Sequence, residues 1–219
     1  MTPEAFVAEM DTTLRQLLAV RDTALERLPD SAGKADVRDL LRGALRAELE
    51  ATEIAALWVP TTSNLEVKLA FARQAGDEAK HYLLIAERLQ ELGVPAESVF
   101  APVTELSPLY RYLETLTTPA ERVAAAQLTR EAIGYKSNEL FIAWCEQEGD
   151  QATARMYRER IQPDELHHHE WGKRLLLQLA GNEDTQAEVR KAILTTLELA
   201  DELRSLAVGR LQVETVPGC

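Results

Sequence analysis

The sequence predicts an all-α fold, a four-helix bundle with a long crossover connection and additional helices at its N and C termini. Three observations predict it. Ala, Leu, Glu and Arg, which lose little side-chain freedom in a helix, dominate the composition. Apolar residues recur at three- and four-residue steps along nearly the whole chain. One stretch with three prolines, residues 94–118, is too long for a tight turn between neighbouring helices and suits a crossover along a bundle.

The predicted helices are bounded by glycine, proline and capping residues. They span about 3–28, 35–59, 64–92, 119–148, 151–179 and 185–211, and the crossover has room for one short helix over about 109–116. Thr118 followed by Pro119 is typical of a helix start, and Pro163 predicts a kink or bulge inside its helix. No linker divides the chain, so we expect one domain over residues 1–219, with a core bundle of about 35–180.

The charge and the cysteine count exclude several classes of protein. A net charge of −12 disfavours nucleic acid and anionic membrane surfaces as partners. Two cysteines, Cys145 and Cys219, are too few for an iron–sulfur cluster or a disulfide framework. The sequence contains no apolar stretch that could span a bilayer, and its first residues lack the features of a secretory leader. We therefore expect a cytoplasmic protein.

Two copies of one five-residue pattern contain the candidate metal-binding residues. They are Asp77-Glu78-Ala79-Lys80-His81 and Asp164-Glu165-Leu166-His167-His168. Residues three apart share one face of a helix, so the glutamate and histidine of each copy can bind one metal ion together. One copy is weak evidence, because Glu-x-x-His is common on helix surfaces. Two copies on helices of matching length indicate a metal site, since a carboxylate facing a core is costly unless it is paired or metal-bound.

A metal site inside a bundle also needs a carboxylate from each of the other two helices. Glu48 lies on an apolar stripe of its helix, whereas Glu50 lies near Arg46 and Glu53 on what is predicted to be a solvated face. Glu131 is preferred over Glu139 for the same reason. At 1.5 Å per residue, Glu48 and Glu78 lie about 16 and 21 Å from one hairpin turn, and Glu131 and Glu165 about 27 and 22 Å from the other.

These residues resemble the ferritin-like diiron-carboxylate superfamily over about residues 35–179. The pattern of that family is Glu, then Glu-x-x-His, a crossover, and the same again. The resemblance implies Glu48, Glu78, His81, Glu131, Glu165 and His168 as metal ligands. The leading aspartates, Asp77 and Asp164, resemble those of the bacterial diiron monooxygenase branch, where the aspartate accepts a hydrogen bond from a ligating histidine. The sequence departs from that branch at its arginine, which is Lys80 in one copy and His167 in the other.

The resemblance implies two iron ions, or an iron and a manganese ion, that activate O2. The function we expect is that of a diiron oxygenase or oxidase acting on a small organic substrate, with a separate reductase or a reducing substrate as electron source. A bacterioferritin-like ferroxidase is the second interpretation, and a non-catalytic helical partner subunit is the third. A homodimer is compatible with the sequence.

For several residues near the predicted ligands, the sequence is compatible with both a functional role and a purely structural one. Tyr82 and Tyr135 are candidates for a redox-active tyrosine, although such residues are more often core tyrosines with a bonded hydroxyl. His167 and His169 flank His168 but point to other faces of the helix, which favours supporting roles over ligation.

Overall fold

The computed structural model describes residues 1–25, 36–101, 105–211 and 217. Those residues form eight helices and no strand. The helices are α1 (Pro3–Leu25), α2 (Val37–Thr61), α3 (Leu65–Glu91), α4 (Ala96–Val99), α5 (Pro108–Thr115), α6 (119–147), α7 (151–179) and α8 (Glu183–Leu211). The all-α prediction is confirmed. The predicted end of the first helix, at about residue 28, and Cys219 lie outside the described residues.

Helix α6 begins where the sequence predicts, at a reciprocal cap. The Thr118 hydroxyl accepts a hydrogen bond from the backbone N–H of Glu121, and the Glu121 carboxylate accepts one from the backbone N–H of Thr118. Two of the four N–H groups that lack a partner at a helix start are thereby satisfied. Pro119 occupies the first helical position, where its missing N–H costs nothing.

The sequence predicts that α2 ends before Pro60, but the helix continues to Thr61. The hydroxyl of Thr62 donates to the carbonyl of Trp58 at 2.8 Å, and the hydroxyl of Thr61 donates to the same oxygen at 3.3 Å. These side chains supply donors to a carbonyl near the helix end, where backbone donors run out. A proline in the last turn is therefore tolerated better than one in the helix interior.

The crossover contains two short helices, α4 and α5, where the sequence predicts one. The Ser107 hydroxyl caps α5 by accepting a hydrogen bond from the backbone N–H of Tyr110. Ser107 also donates from its backbone N–H and from its hydroxyl to the Glu50 carboxylate of α2. These hydrogen bonds connect the crossover to the middle of α2.

Helices α6 and α7 each contain a π-helical turn next to a predicted ligand. Residues Ala124–Arg130 form the turn before Glu131, and residues Tyr157–Ile161 form the turn before Glu165. Pro163 lies two residues after the end of the second turn, so the bulge that it predicts is present. Such turns insert a residue into a helix and change the direction in which the following side chains point.

Two apolar clusters fill opposite ends of the space between α2, α3, α6 and α7. One includes Trp58, Phe71, Val123 and Leu175. The other includes Leu41, Leu89, Phe141, Cys145 and Tyr157. The C-terminal halves of α3 and α6 both contribute to the second cluster, so these helices run parallel and the crossover returns along their length. The predicted ligands lie between the two clusters.

The two terminal helices, α1 and α8, pack against the four long helices between them. Helix α1 packs against α7, and α8 packs against the π-helical turn of α6. Phe6 and Leu14 of α1 and Val189 of α8 are fully or almost fully buried. In the part of the chain that the structure describes, none of the helices combines the length and the apolar character that crossing a membrane requires.

Gly172 lets α7 approach α6, and replacing it with alanine is expected to destabilise the protein. A β-carbon there would lie 2.9 Å from the backbone carbonyl carbon of Gln127, which cannot move aside as a flexible side chain can. Overpacking of this kind costs about 1–3 kcal/mol. Denaturant unfolding measures the loss.

Gly76 is the matched control for Gly172. It also lies in the middle of a long helix, yet a β-carbon there meets nothing within 4 Å. Gly76→Ala is expected to raise the free energy of unfolding by about 0.5–1 kcal/mol, because alanine loses less backbone freedom in a helix. Equal effects at the two positions would contradict the close approach at Gly172.

Candidate metal centre

Four helices bring six acidic and histidine side chains together between the apolar clusters. All six are buried, with at most 5% of each residue exposed. They are Glu48 of α2, Glu78 and His81 of α3, Glu131 of α6, and Glu165 and His168 of α7. These are the six residues that the sequence predicts as ligands. The structure places them at one level, and their role as ligands stays a prediction.

The first group of ligand atoms surrounds the Nδ1 atom of His81. That nitrogen lies 3.1 Å from Oε2 of Glu78, 3.4 Å from Oε1 of Glu165 and 3.7 Å from Oε2 of Glu48. The four residues each offer an atom within 4.8 Å of the others. One imidazole and three carboxylates converge here in a space that suits one metal ion.

The second group surrounds the Nδ1 atom of His168. This nitrogen lies 3.4 Å from Oε1 of Glu78 and 3.5 Å from Oε2 of Glu131. It is buried and has no hydrogen-bond partner among the described residues. A buried nitrogen without a hydrogen bond is costly, and a metal ion between it and the two carboxylates would satisfy it.

Glu78 belongs to both groups. Its Oε2 faces His81 and its Oε1 faces His168, so one carboxylate spans the two imidazoles. This is the geometry of a carboxylate that can bridge two ions. Glu165 belongs only to the group around His81.

Asp77 and Asp164 contact the Nε2 atoms of the two histidine rings, on the side away from the carboxylates. Nε2 of His81 lies 3.2 Å from Oδ2 of Asp164, and Nε2 of His168 lies 3.1 Å from Oδ2 of Asp77. A proton on each Nε2 leaves Nδ1 to face the carboxylates, and an ionised aspartate raises the basicity of the ring. Each aspartate serves the histidine of the other motif, an exchange that the sequence did not predict.

A cation accompanies each aspartate. Lys80 donates to Asp164 at 2.8 Å, and Arg73 donates to Asp77 at 3.3 Å. Burial opposes ionisation of Asp164, but hydrogen bonds from Lys80 and His81 hold its pKa below the usual value. The hydrogen bond from His168 lowers the pKa of Asp77. Both aspartates are therefore ionised and accept hydrogen bonds at neutral pH.

The pKa values of five of the inner residues are displaced, four of them upward and one downward. Burial raises the pKa of Glu48 to about 7 and that of Glu165 well above its usual value, the latter with help from Glu131 and Glu78. Glu78 is different, because the imidazoles of His168 and His81 on either side of it outweigh its burial and hold its pKa well below the usual range. Glu48 and Glu78 raise the pKa of His81 to about 12 against the effect of burial, and Asp77, Glu131 and Glu78 raise that of His168. Without a metal ion, protons on the two histidines balance part of the negative charge.

The donor set fits metal ions with a preference for oxygen and imidazole. Four carboxylates and two imidazoles suit iron or manganese better than copper or zinc. The structure adds a hydrogen bond to this set, since Nε2 of Gln74 donates to Oε1 of Glu131. Gln74 is fully buried one helical turn before Glu78, a spacing that could have marked it in the sequence.

Glu50 contradicts the expectation of a solvated face. Arg46 donates to it at 3.1 Å, as the sequence suggested, but Glu50 is buried because Ser107 of the crossover covers it. Its carboxylate is occupied by Arg46 and Ser107, which supports the choice of Glu48 as the inner carboxylate of α2.

The two tyrosines named from the sequence are less buried than one that was missed. Tyr82 and Tyr135 are partly exposed, and the ring of Tyr82 packs against Phe100 with centroids 6.4 Å apart. Tyr157 is fully buried, and burial, with the nearby carboxylate of Glu48, raises its pKa well above the usual value. Its four-residue step to Ile161 on the stripe of Glu165 was the signal that could have found it.

Removing the hydroxyl of Tyr157 is expected to leave the free energy of unfolding unchanged or to raise it by about 1–3 kcal/mol. The hydroxyl has no hydrogen-bond partner among the described residues, so Tyr157→Phe removes a buried polar atom without breaking a bond. Chemical denaturation of the metal-free protein measures this. A loss of more than 1 kcal/mol would mean that the hydroxyl is bonded, for example to an ordered water.

His169 connects helices, and the structure gives no sign that it binds metal. Its Nδ1 lies 2.8 Å from the carbonyl oxygen of Leu128 in the π-helical turn of α6, and its Nε2 lies 3.2 Å from Oδ1 of Asp11 in α1. His167 is partly exposed and its ring packs edge-on against Trp171. Among the described residues neither histidine is in a group of converging ligand atoms, and the supporting roles of both stay predictions.

One comparison places the chain in a family. A family model described as a protein of unknown function, DUF455, matches residues 15–202. The chain belongs to the DUF455 family. The matched region contains all six inner residues and both aspartates, so the site lies within the part that defines DUF455. No curated protein and no solved structure matches the chain.

Proposed function

We propose that this DUF455 protein is a ferritin-like diiron-carboxylate oxidoreductase, in which α2, α3, α6 and α7 form the bundle that holds two iron ions. The observation that carries the proposal is Glu78, whose two oxygens face the Nδ1 atoms of two histidines held by two aspartates. A lone metal ion would not need a second imidazole on the other side of the same carboxylate. The repeated arrangement favours a pair of ions.

The bound iron pair would supply the activation of O2 for oxidation of a small organic substrate. The residues of the chain hold and orient that pair. Asp77 and Asp164 keep the proton on Nε2 of each histidine, and Gln74 fixes one oxygen of Glu131 by a hydrogen bond. Ala47 and Ala51 line a small cavity beside the carboxylates of Glu48, Glu78, Glu131 and Glu165.

Anaerobic loading with ferrous iron tests the proposal. The protein is purified without a histidine tag, titrated with Fe²⁺, and analysed for iron and protein before exposure to O2. Two irons per chain and rapid O2 uptake followed by visible absorption are expected. Iron uptake below one per chain, or O2 uptake no faster than that of free Fe²⁺, would overturn the proposal.

The size of the loaded protein separates this function from iron storage. A ferroxidase of the bacterioferritin type would accumulate many ferric ions in a large hollow shell, which size-exclusion chromatography detects. The proposed oxidoreductase binds two ions per chain and elutes as a small oligomer. A large shell holding hundreds of irons would favour storage instead.

A further inference from the structure

Two side chains donate to carbonyls of the π-helical turn that precedes Glu131. The hydroxyl of Thr129 donates to the carbonyl of Ala124 at 2.7 Å, and Nδ1 of His169 lies 2.8 Å from the carbonyl oxygen of Leu128. A carbonyl oxygen only accepts, so Nδ1 of His169 carries the proton of this hydrogen bond. In a wide turn the regular pairing of N–H and C=O groups four residues apart is lost, and side-chain donors compensate the buried carbonyls.

Helix α7 approaches the same turn a second time at Gly172. A β-carbon at Gly172 would lie 2.9 Å from the carbonyl carbon of Gln127 and 3.0 Å from the backbone nitrogen of Leu128. His169 and Gly172 share one face of α7, because they are three residues apart. On the other side of the ring, Nε2 of His169 lies 3.2 Å from Oδ1 of Asp11 in α1. The turn is thus held from α7, and α1 holds the imidazole that contacts it.

Glu131 is the inner residue whose position depends on this turn. It directly follows the turn, and its backbone N–H donates to the carbonyl of Ala126, five residues back. A side chain after a wide turn points in a different direction from one in a regular helix. Glu131 belongs only to the second group of ligand atoms, where its Oε2 lies 3.5 Å from Nδ1 of His168. A change in the turn should therefore affect the second group and leave the first, around His81, in place.

We propose that His169 is a positioning residue for the metal ion of the second group, because its hydrogen bond to the carbonyl of Leu128 maintains the turn that directs Glu131. His169 acts through the turn and not as a ligand, since Leu128 and Asp11 occupy both of its ring nitrogens. Removing an outer hydrogen bond at a metal site typically weakens metal binding by about 10–100-fold. This inference rests on the proposed function, in that two metal ions bind between the helices.

Two substitutions of His169 separate its two hydrogen bonds. Asparagine places an amide nitrogen close to the position of Nδ1, and glutamine places one close to the position of Nε2. His169→Asn therefore keeps a donor for the carbonyl of Leu128, whereas His169→Gln keeps a donor for Asp11. Each variant loses one contact, so a role in stability alone predicts similar metal binding by the two.

Calorimetric titration with Mn²⁺ measures the two dissociation constants without turnover. His169→Gln is expected to weaken binding of the second-group ion at least about tenfold and of the first-group ion less than about threefold. His169→Asn should bind both ions within about threefold of the unaltered protein. Equal weakening by the two variants, or equal weakening of the two ions, would overturn the inference.

Electron paramagnetic resonance identifies which ion is affected. It distinguishes a coupled pair of Mn²⁺ ions from a lone ion. Glu131→Gln removes a ligand of the second group only, so it supplies the reference spectrum of a lone ion in the first group. His169→Gln should give this spectrum at Mn²⁺ concentrations where the unaltered protein and His169→Asn hold a coupled pair. A lone-ion spectrum that differs from that of Glu131→Gln would overturn the inference.

His167→Gln is the matched control. His167 also adjoins His168, but its ring is partly exposed and packs edge-on against Trp171. The control should bind both ions as the unaltered protein does. If it lost the second-group ion as His169→Gln does, the effect would belong to the surroundings of His168 and the inference would be overturned.

Thr129→Val tests the turn from α6. Valine keeps the shape of the buried side chain but removes the hydroxyl that donates to Ala124. Binding of the second-group ion should again weaken while that of the first-group ion is retained. If His169→Gln fails to fold, as judged by circular dichroism and thermal melting, this variant decides the question, and an unchanged second dissociation constant would overturn the inference.

The possible results distinguish this inference from the function on which it rests. Two Mn²⁺ per chain, with no difference between His169→Asn and His169→Gln, would remove the inference and leave the diiron proposal standing. A chain that takes up neither Mn²⁺ nor Fe²⁺ would remove both.

Discussion

Glu78→Gln is expected to abolish binding of both metal ions. Glutamine keeps the size of the side chain but removes the charge, and among the described carboxylates Glu78 alone reaches both Nδ1 atoms. Loss of an ordinary ligand would weaken one site, whereas loss of a bridging carboxylate weakens two. Metal analysis after loading with excess Fe²⁺ should give far below one ion per chain.

The same substitution is expected to destabilise the metal-free protein. The Glu78 carboxylate lies between protonated His81 and His168 and helps to stabilise both in the interior, as the low pKa of Glu78 indicates. Removing one partner of a buried ion pair typically costs about 3–5 kcal/mol. Denaturant unfolding of the variant in a chelator measures this loss.

Glu87→Gln is the matched control. Glu87 lies on the same helix but is exposed. The control should retain two ions per chain and change the free energy of unfolding by no more than about 0.5 kcal/mol. Loss of only one ion in Glu78→Gln, with the other bound normally, would contradict a bridging position for Glu78.

Metal affinity is expected to rise steeply between pH 6 and 8, because binding must displace protons. In the metal-free protein the pKa of His81 is raised to about 12, and that of His168 is raised as well. These groups carry protons across this range and must release them before they can bind a cation. Raising the pH removes competing protons, so the affinity increases rather than decreases.

The size of the effect follows from the number of protons released. Each proton displaced per pair of ions contributes about a tenfold change in affinity per pH unit, so two histidines give about a hundredfold. Calorimetric titration in buffers with different ionisation enthalpies counts the protons directly. Fewer than one proton per pair of ions would contradict the protonated state of the histidines. His81→Gln should release about one proton fewer than the unaltered protein.

The inner residues could be predicted because each lies on the apolar stripe of a long helix. Glu48 and Glu131 were distinguishable from other glutamates by that criterion alone, and the structure brings both to the motifs. The criterion failed for Glu50, whose burial depends on a crossover segment fifty-seven residues away. The path of an irregular connection is not encoded in helical periodicity.

The crossed aspartate–histidine pairs could not be predicted for a related reason. Asp77 precedes Glu78 in sequence, and a helix places it away from the face that carries His81. Which histidine Asp77 contacts depends on how α3 and α7 pack against each other, and this is a property of the tertiary structure. The sequence predicts that an aspartate will hold a histidine, whereas only the packing decides which one.

The π-helical turns of α6 and α7 have a consequence for comparing DUF455 sequences and for editing them. Each turn holds one residue more than a regular α-helix needs. Deleting a single residue within either turn would let the backbone relax to ordinary α-geometry, because the wide turn accommodates the extra residue, and the flanking parts of the helix would keep nearly the same faces. A one-residue gap at these places in an alignment therefore indicates a helix that lacks the wide turn beside Glu131 or Glu165, whereas a one-residue gap elsewhere in the same helices would rotate one part against the other by about 100°.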